Sequence, residues 1–290
     1  MQKSAKKNVT DFFNNKVCVI TGATSGIGKC AASHLAQLGW TVVLICRSEP
    51  SGKETLESIL DTCPKAKVDF FVADLSSQKA IRSICTSLYQ KYPQIDALIH
   101  NAGIISPIRE ITPDGLELTF AVNHLAPFLL TSLLTPALKA SPEAKVIVIT
   151  SRAEELGKIN FDDLQGEREY NWAKVYSQSK LANLLFAYQL SERLQENRIS
   201  VIALHPGLTQ SKLGRSLKGI FKFLPLVLHP FMQSPEKAAS FLVELLLLPY
   251  SHKPRYFIKN KIAKSSQRSY DEQLSTKLWA VSESLTQGGV

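Results

Sequence analysis

Tyr176 and Lys180 stand four residues apart in a stretch, from about Asn171 to Glu196, that reads as one long helix. That spacing stacks both side chains on one face. A phenol whose pKa lies near ~10 is a poor base at neutral pH. An ammonium one turn away stabilises the phenolate and moves that pKa toward the working range. Coulomb attraction can supply ~4 kcal/mol at ~4 Å for an effective dielectric of ~20. Taken alone, a Tyr-x-x-x-Lys pair is more often a surface pair than an acid/base group, so its meaning depends on its setting.

A second chemical feature lies near the start of the chain, where an apolar run ends in Thr21-Gly22-Ala23-Thr24-Ser25-Gly26-Ile27-Gly28 and a helix begins within the motif. Glycines there allow a tight turn and close backbone approach to a pyrophosphate, and the helix start offers free N–H groups and a positive dipole end. The spacing is not that of a P-loop, because five residues separate Gly22 from Gly28 and Cys30 follows Lys29. It is GxxxGxG rather than GxGxxG. A third feature is Arg47, followed by Ser48 at the end of the second apolar run. An acidic residue at this point would repel a 2′-phosphate, whereas arginine forks two hydrogen bonds onto it. NADP(H) is therefore expected over NAD(H), with Lys53 as a candidate second charge.

The elements that must position these groups follow one rhythm. Lys16–Thr21, Thr41–Cys46, Val68–Ala73, Ile95–His100, Lys145–Thr150 and Ile199–His205 are short β-branched runs separated by helical patterns. Continuous apolar strands are covered on both faces, as in a parallel sheet between helices. Right-handed crossovers give a single doubly wound Rossmann α/β domain of about seven mostly parallel strands, and such sheets bind ligands at their strands' carboxyl ends.

Composition sets the class. The 290 residues are 44% hydrophobic and 20% charged, which excludes disorder and coiled coil. Five cysteines without a CxxC pair and six scattered histidines without HExxH argue for buried thiols in a reducing compartment and for no metal. The net charge of +9 is spread along the chain without interleaved aromatics, so nucleic acid is not expected. No run reaches the ~18 uninterrupted apolar residues of a membrane span. The basic start of the chain has no apolar run behind it, so a signal peptide is not expected and cytoplasmic residence is the default.

Together, the glycine turn, Asp74-Leu75, Asn101-Ala102-Gly103, Asn123, Ser151, Tyr176-x-x-x-Lys180 and Pro206-Gly207 appear in the order of the short-chain dehydrogenase/reductase family. The chain resembles that family from about residue 15 to 287. The resemblance implies hydride transfer between nicotinamide and a carbonyl carbon, with Tyr176 exchanging a proton, Ser151 bonding the substrate oxygen, and Asn123 holding a water that links Lys180 to solvent. It places Asp74 beside adenine, Asn101, Ala102 and Gly103 along the adenosine ribose, and Pro206-Gly207-Leu208-Thr209 at the nicotinamide carboxamide, with Ser211 as a further hydroxyl. Thr24, Ser25, Gly26 and Ile27 belong to the phosphate turn.

The interval between Ser151 and Tyr176 and the run Tyr176-Ser177-Gln178-Ser179-Lys180-Leu181-Ala182-Asn183 are similar to the retinol dehydrogenase branch, as is Lys277-Leu278-Trp279. Ala126-Pro127 departs from that branch, and its N-terminal membrane anchor is not expected here. This implies a lipophilic aldehyde, ketone or alcohol as substrate. The alternatives are C=C reduction, as in the similar protochlorophyllide reductase branch, and a non-catalytic NADP(H)-binding scaffold or sensor. The domain is expected over 16–290 after an extension over 1–15, with a substrate loop at about 152–170 and a lid at about 208–233. The apolar stretch 217–232 is expected as that lid or as a peripheral membrane contact. The resemblance further implies a homodimer through the helices after the fourth and fifth strands.

Overall fold

Successive residues of a strand face opposite sides of its sheet, and this alternation divides the interior in two. The computed structural model describes residues 16–210 and 232–287. In β1 (Val17–Thr21), Val19 joins one apolar cluster while Cys18 and Ile20 join the other. The remaining strands are β2 (Thr41–Cys46), β3 (Lys67–Val72), β4 (Ala97–His100), β5 (Ala144–Ile149), β6 (Ile199–His205), β7 (Arg255–Ile258) and β8 (Lys261–Ile262). They form one sheet in the order β3-β2-β1-β4-β5-β6-β7-β8. All neighbours are parallel except β7 and β8, a short antiparallel return at the edge that raises the expected seven strands to eight.

The helices, numbered among the described residues, are α1 (Gly26–Gln37), α2 (Glu49–Thr62), α3 (Gln78–Lys91), α4 (Leu118–Lys139), α5 (Trp172–Arg193), α6 (Pro235–Leu246) and α7 (Glu272–Thr286). One face of the sheet packs α1, α2 and α6, and the other packs α3, α4 and α5. The chain order therefore reverses between β1 and β4, and the crevice beyond their carboxyl ends is where such a sheet receives a ligand.

Helix α4 contains a π-helical stretch, Ala121–Leu125, within its first turns. By length and composition α4 is the one described helix apolar enough to cross a membrane, with mean hydropathy 1.4, yet 89% of its apolar window is buried within the fold. A helix that is apolar all round is accounted for when it is covered on all sides.

Candidate active site

The glycine turn links β1 to α1. Gly22 and Gly26 have φ of +64° and +53°, the left-handed region that glycine adopts without strain. Ser25 is the N-cap residue of α1, yet its hydroxyl caps no helix N–H, so both the hydroxyl and the first-turn donors remain available to an anion. A Cβ on Gly28 would lie 2.5 Å from both Asn101 Nδ2 and Gly22 O, so glycine is required there by packing.

The loop after β4 is stitched to this turn. Asn101 Nδ2 donates to Thr21 O and Gly22 O at 3.0 Å each, and the Asn101 and Ala102 N–H groups donate to Thr21 Oγ1, also at 3.0 Å. The side chain of Asn101 thus sets the shape of the turn. A Cβ on Gly103 would sit 3.5 Å from Asn123 Oδ1 and 3.6 Å from Lys180 Nζ, which is ordinary contact. The protein's own packing does not demand glycine at 103, and its absent side chain leaves open the space over the lysine.

Tyr176 and Lys180 share one face of α5, with Lys180 Nζ 5.6 Å from the centre of the phenol ring. Asn171 starts this helix by accepting from Ala173 and Lys174 N–H. From Val175 to Ala187 every residue is buried except Tyr176, which is half-buried. Lys180 Nζ donates to Ile149 O at 3.1 Å, at the end of β5, and retains further donors. The next residue, Thr150, spends its hydroxyl on Lys180 O at 3.0 Å. Ser151 accepts only a weak 3.2 Å bond from Ala153 N–H and acts on the Tyr176 phenol. Of the two adjacent hydroxyls, Thr150 is committed to backbone and Ser151 is the one beside the tyrosine.

Burial dominates the electrostatics of the pair. It pushes the Tyr176 phenol up to about 12, with Ser151 opposing the rise, and pushes Lys180 down to about 8. In the free protein the net shift of the phenol is upward and set by burial, with the ammonium 5.6 Å from the ring centre. Asn123 sits in the π-helical stretch, where irregular backbone often marks functional sites. Its amide bonds Ile104 N and O at 2.8 and 3.0 Å and Ser179 Oγ at 3.0 Å, and Ser179 in turn donates to Tyr176 O. The side chain braces the β4 loop against α5.

Arg47 is exposed at the end of β2 and makes no ion pair among the described residues. Ser48 follows as the N-cap residue of α2. Lys53 lies one turn further on and pairs with Glu57 at 4.0 Å. Asp74 is exposed and turns back onto Ser76 N–H at 2.9 Å, while Leu75 packs on the core. Beyond β6, Gly207 has φ +89°, Thr209 donates to Gly207 O, and Gln233 bonds Pro206 O and Leu208 O. Ser211 and all but the last residue of 217–232 lie outside the described residues. No group of three or more His, Cys, Asp or Glu among the described residues could hold a metal ion.

Some roles at the site are not readable from the sequence. Thr21 is the hub of the turn, and Glu117, fully buried, caps α4 through Thr119 and Phe120 N–H. Tyr170 bonds Ser106 O and Glu117, and Gln165 accepts from Glu117 N–H, fixing the loop before α5 to the start of α4. Only the N-cap propensity of an acidic residue ahead of an apolar run could have pointed to Glu117.

Comparison with known proteins agrees with this geometry. The sequence profile described as short chain dehydrogenase matches residues 16–219. Human retinol dehydrogenase 14 is 35% identical, over 93% of this chain and 86% of its own length. Human retinol dehydrogenase 13 is 38% identical, over 93% and 84%. Among solved structures, a Mycobacterium paratuberculosis protein superposes with TM-score 0.73 at 30% identity, covering 95% of each chain. L-sorbose reductase of Gluconobacter frateurii, solved with NADPH and L-sorbose, has the same fold at TM-score 0.66 and 20% identity, covering 85% of this chain and 96% of its own. With most of its length matched by one profile and its relatives aligned nearly end to end, the chain belongs to the short-chain dehydrogenase/reductase family, oxidoreductases that use a nicotinamide cofactor.

Proposed function

We propose that this oxidoreductase uses NADP(H) to interconvert a lipophilic carbonyl compound, of the retinal type, with its alcohol. The observation that carries this reading is the meeting of Ser151, Tyr176 and Lys180 at the carboxyl ends of the strands, beyond a glycine turn fit for a pyrophosphate. Bound nicotinamide supplies or accepts the hydride.

The chain's own residues do the rest. Ser25 and the first turn of α1 face the pyrophosphate, and the unpaired Arg47 takes the 2′-phosphate. Asp74, Leu75, Asn101, Ala102 and Gly103 border the adenosine side, and Pro206, Gly207 and Thr209 border the nicotinamide. Ser151 donates to the carbonyl oxygen, where negative charge accumulates as hydride arrives. Tyr176, protonated at neutral pH because burial holds it near 12, gives its proton to that oxygen. Lys180 stabilises the phenolate left behind, and Asn123 holds the relay by which the proton is replaced. Leu156, 82% exposed shortly after Ser151, and Leu208, just after Gly207, give the rim apolar side chains suited to a lipophilic substrate. The names of the retinol dehydrogenase relatives point to the same class. A peripheral membrane contact through 217–232, made by a protein of the cytoplasm, belongs to the proposal on sequence alone.

The test is an NADPH-oxidation screen in the dark against retinal, medium-chain aldehydes and steroid ketones. Turnover of retinal or another lipophilic carbonyl, with NADPH preferred to NADH, is expected. Reduction only of a conjugated C=C bond, or no turnover of any carbonyl, would overturn it.

A further inference from the structure

Helices α4 and α5 are the pair through which resemblance to the family implies a dimer, and in this fold neither has a face to spare. From Thr119 to Thr135 every residue of α4 is buried except Leu133, and from Val175 to Ala187 only Tyr176, in the crevice, is not. What covers them is the chain's own C-terminal helix. The residues Ser275, Leu278, Trp279, Ser282 and Thr286 of α7 recur at helical spacing and are all buried. Leu278 enters a third apolar cluster, separate from the two against the sheet, with Phe120 and Leu125 of α4 and Leu181 and Leu185 of α5.

The contacts span both helices. The Trp279 ring meets Phe128 of α4 edge-on at 4.8 Å and stacks near Phe186 of α5 at 6.0 Å. Its outer side carries the Arg193 guanidinium at 4.3 Å. Two polar links fix the register, one buried between His124 Nε2 and Ser282 Oγ at 2.9 Å and one half-buried, Ser275 Oγ donating to Gln189 Oε1 at 3.1 Å. At the far end Gln78 Nε2 and Arg82 of α3 donate to the last carbonyls of α7, a further tie on helix ends that would otherwise need water.

We infer that α7 is a built-in cap occupying the surface on which a second copy would have to dock, so that α4 and α5 form no interface between copies of this chain. A standard interface buries about 800 Å² per partner, and here the faces of α4 and α5 that would supply it are already covered by α7. The inference stands on packing alone and is independent of the proposed substrate and cofactor.

The experiment is light scattering of the full-length chain across a wide concentration range, paired with amide hydrogen exchange at both extremes. A single-chain mass throughout, with α4 and α5 equally protected at both extremes, is expected. A larger species whose α4 and α5 amides keep the same protection on dilution would also support the cap, since the contact then lies elsewhere. A dimer in which α4 and α5, or α7, lose protection as it dissociates would overturn it.

Discussion

Replacing Lys180 by methionine removes a buried ammonium while keeping most of the apolar stem, and the structure fixes how much that should cost. Nζ lies 5.6 Å from the phenol ring centre, and unit charges at about that separation interact by about 3 kcal/mol at an effective dielectric of about 20. That is about two pKa units on Tyr176 and about a hundredfold in rate wherever the phenolate is required. The oxidative direction requires it before reaction, because burial holds the phenol near 12. Lys180 itself titrates near 8, so its charge acts below that pH and fades above it. Alcohol oxidation at saturating substrate and NADP⁺ should therefore fall about a hundredfold in Lys180→Met near neutral pH. The gap from wild type should narrow as pH rises past the lysine's pKa. A loss under about threefold, or a gap that widens with pH, would refute the electrostatic role.

Other outcomes follow from the same geometry. Arg47→Asp should raise the dissociation constant for NADPH by about a hundredfold while changing NADH less than about threefold, read by fluorescence titration. Gly28→Ala should destabilise the fold by about 2 kcal/mol and weaken dinucleotide binding, because its methyl meets Asn101 and Gly22 at 2.5 Å; chemical denaturation and cofactor titration measure both. His100 and His124, each held near 3 by burial, bind protons only on unfolding as pH falls below about 6.5. Their stabilising contribution is complete above that pH and is lost on descent toward 3, so stability should drop by about 4 kcal/mol between pH 7 and pH 5. Equal urea midpoints at the two pH values would contradict this.

Much of the scaffold was legible because β-branched runs with glycine between them leave few alternatives. Lys16–Thr21 and Thr41–Cys46 match β1 and β2 to within a residue, as Ile199–His205 does β6. The eighth strand, two exposed residues long, has no pattern to read. Tyr176 and Lys180 were visible from spacing, but the direction of the phenol's shift was not, since spacing reports proximity and not burial. Asn123 was legible as a site residue, whereas the brace it forms with Ile104 and Ser179 depends on the π-helical stretch and on contacts far apart in the chain. The same holds for Tyr170 and Glu117, 53 residues apart. Lys277-Leu278-Trp279 was read only as a likeness, although the spacing from Ser275 to Thr286 already marks a buried helix face.

The central claim is that the Tyr176 hydroxyl carries the proton of the reaction, and the most direct measurement is single-turnover reduction of retinal by Tyr176→Phe with NADPH bound. The account predicts loss of turnover by at least about a thousandfold with NADPH affinity nearly unchanged. Turnover equal to wild type in that variant would contradict it.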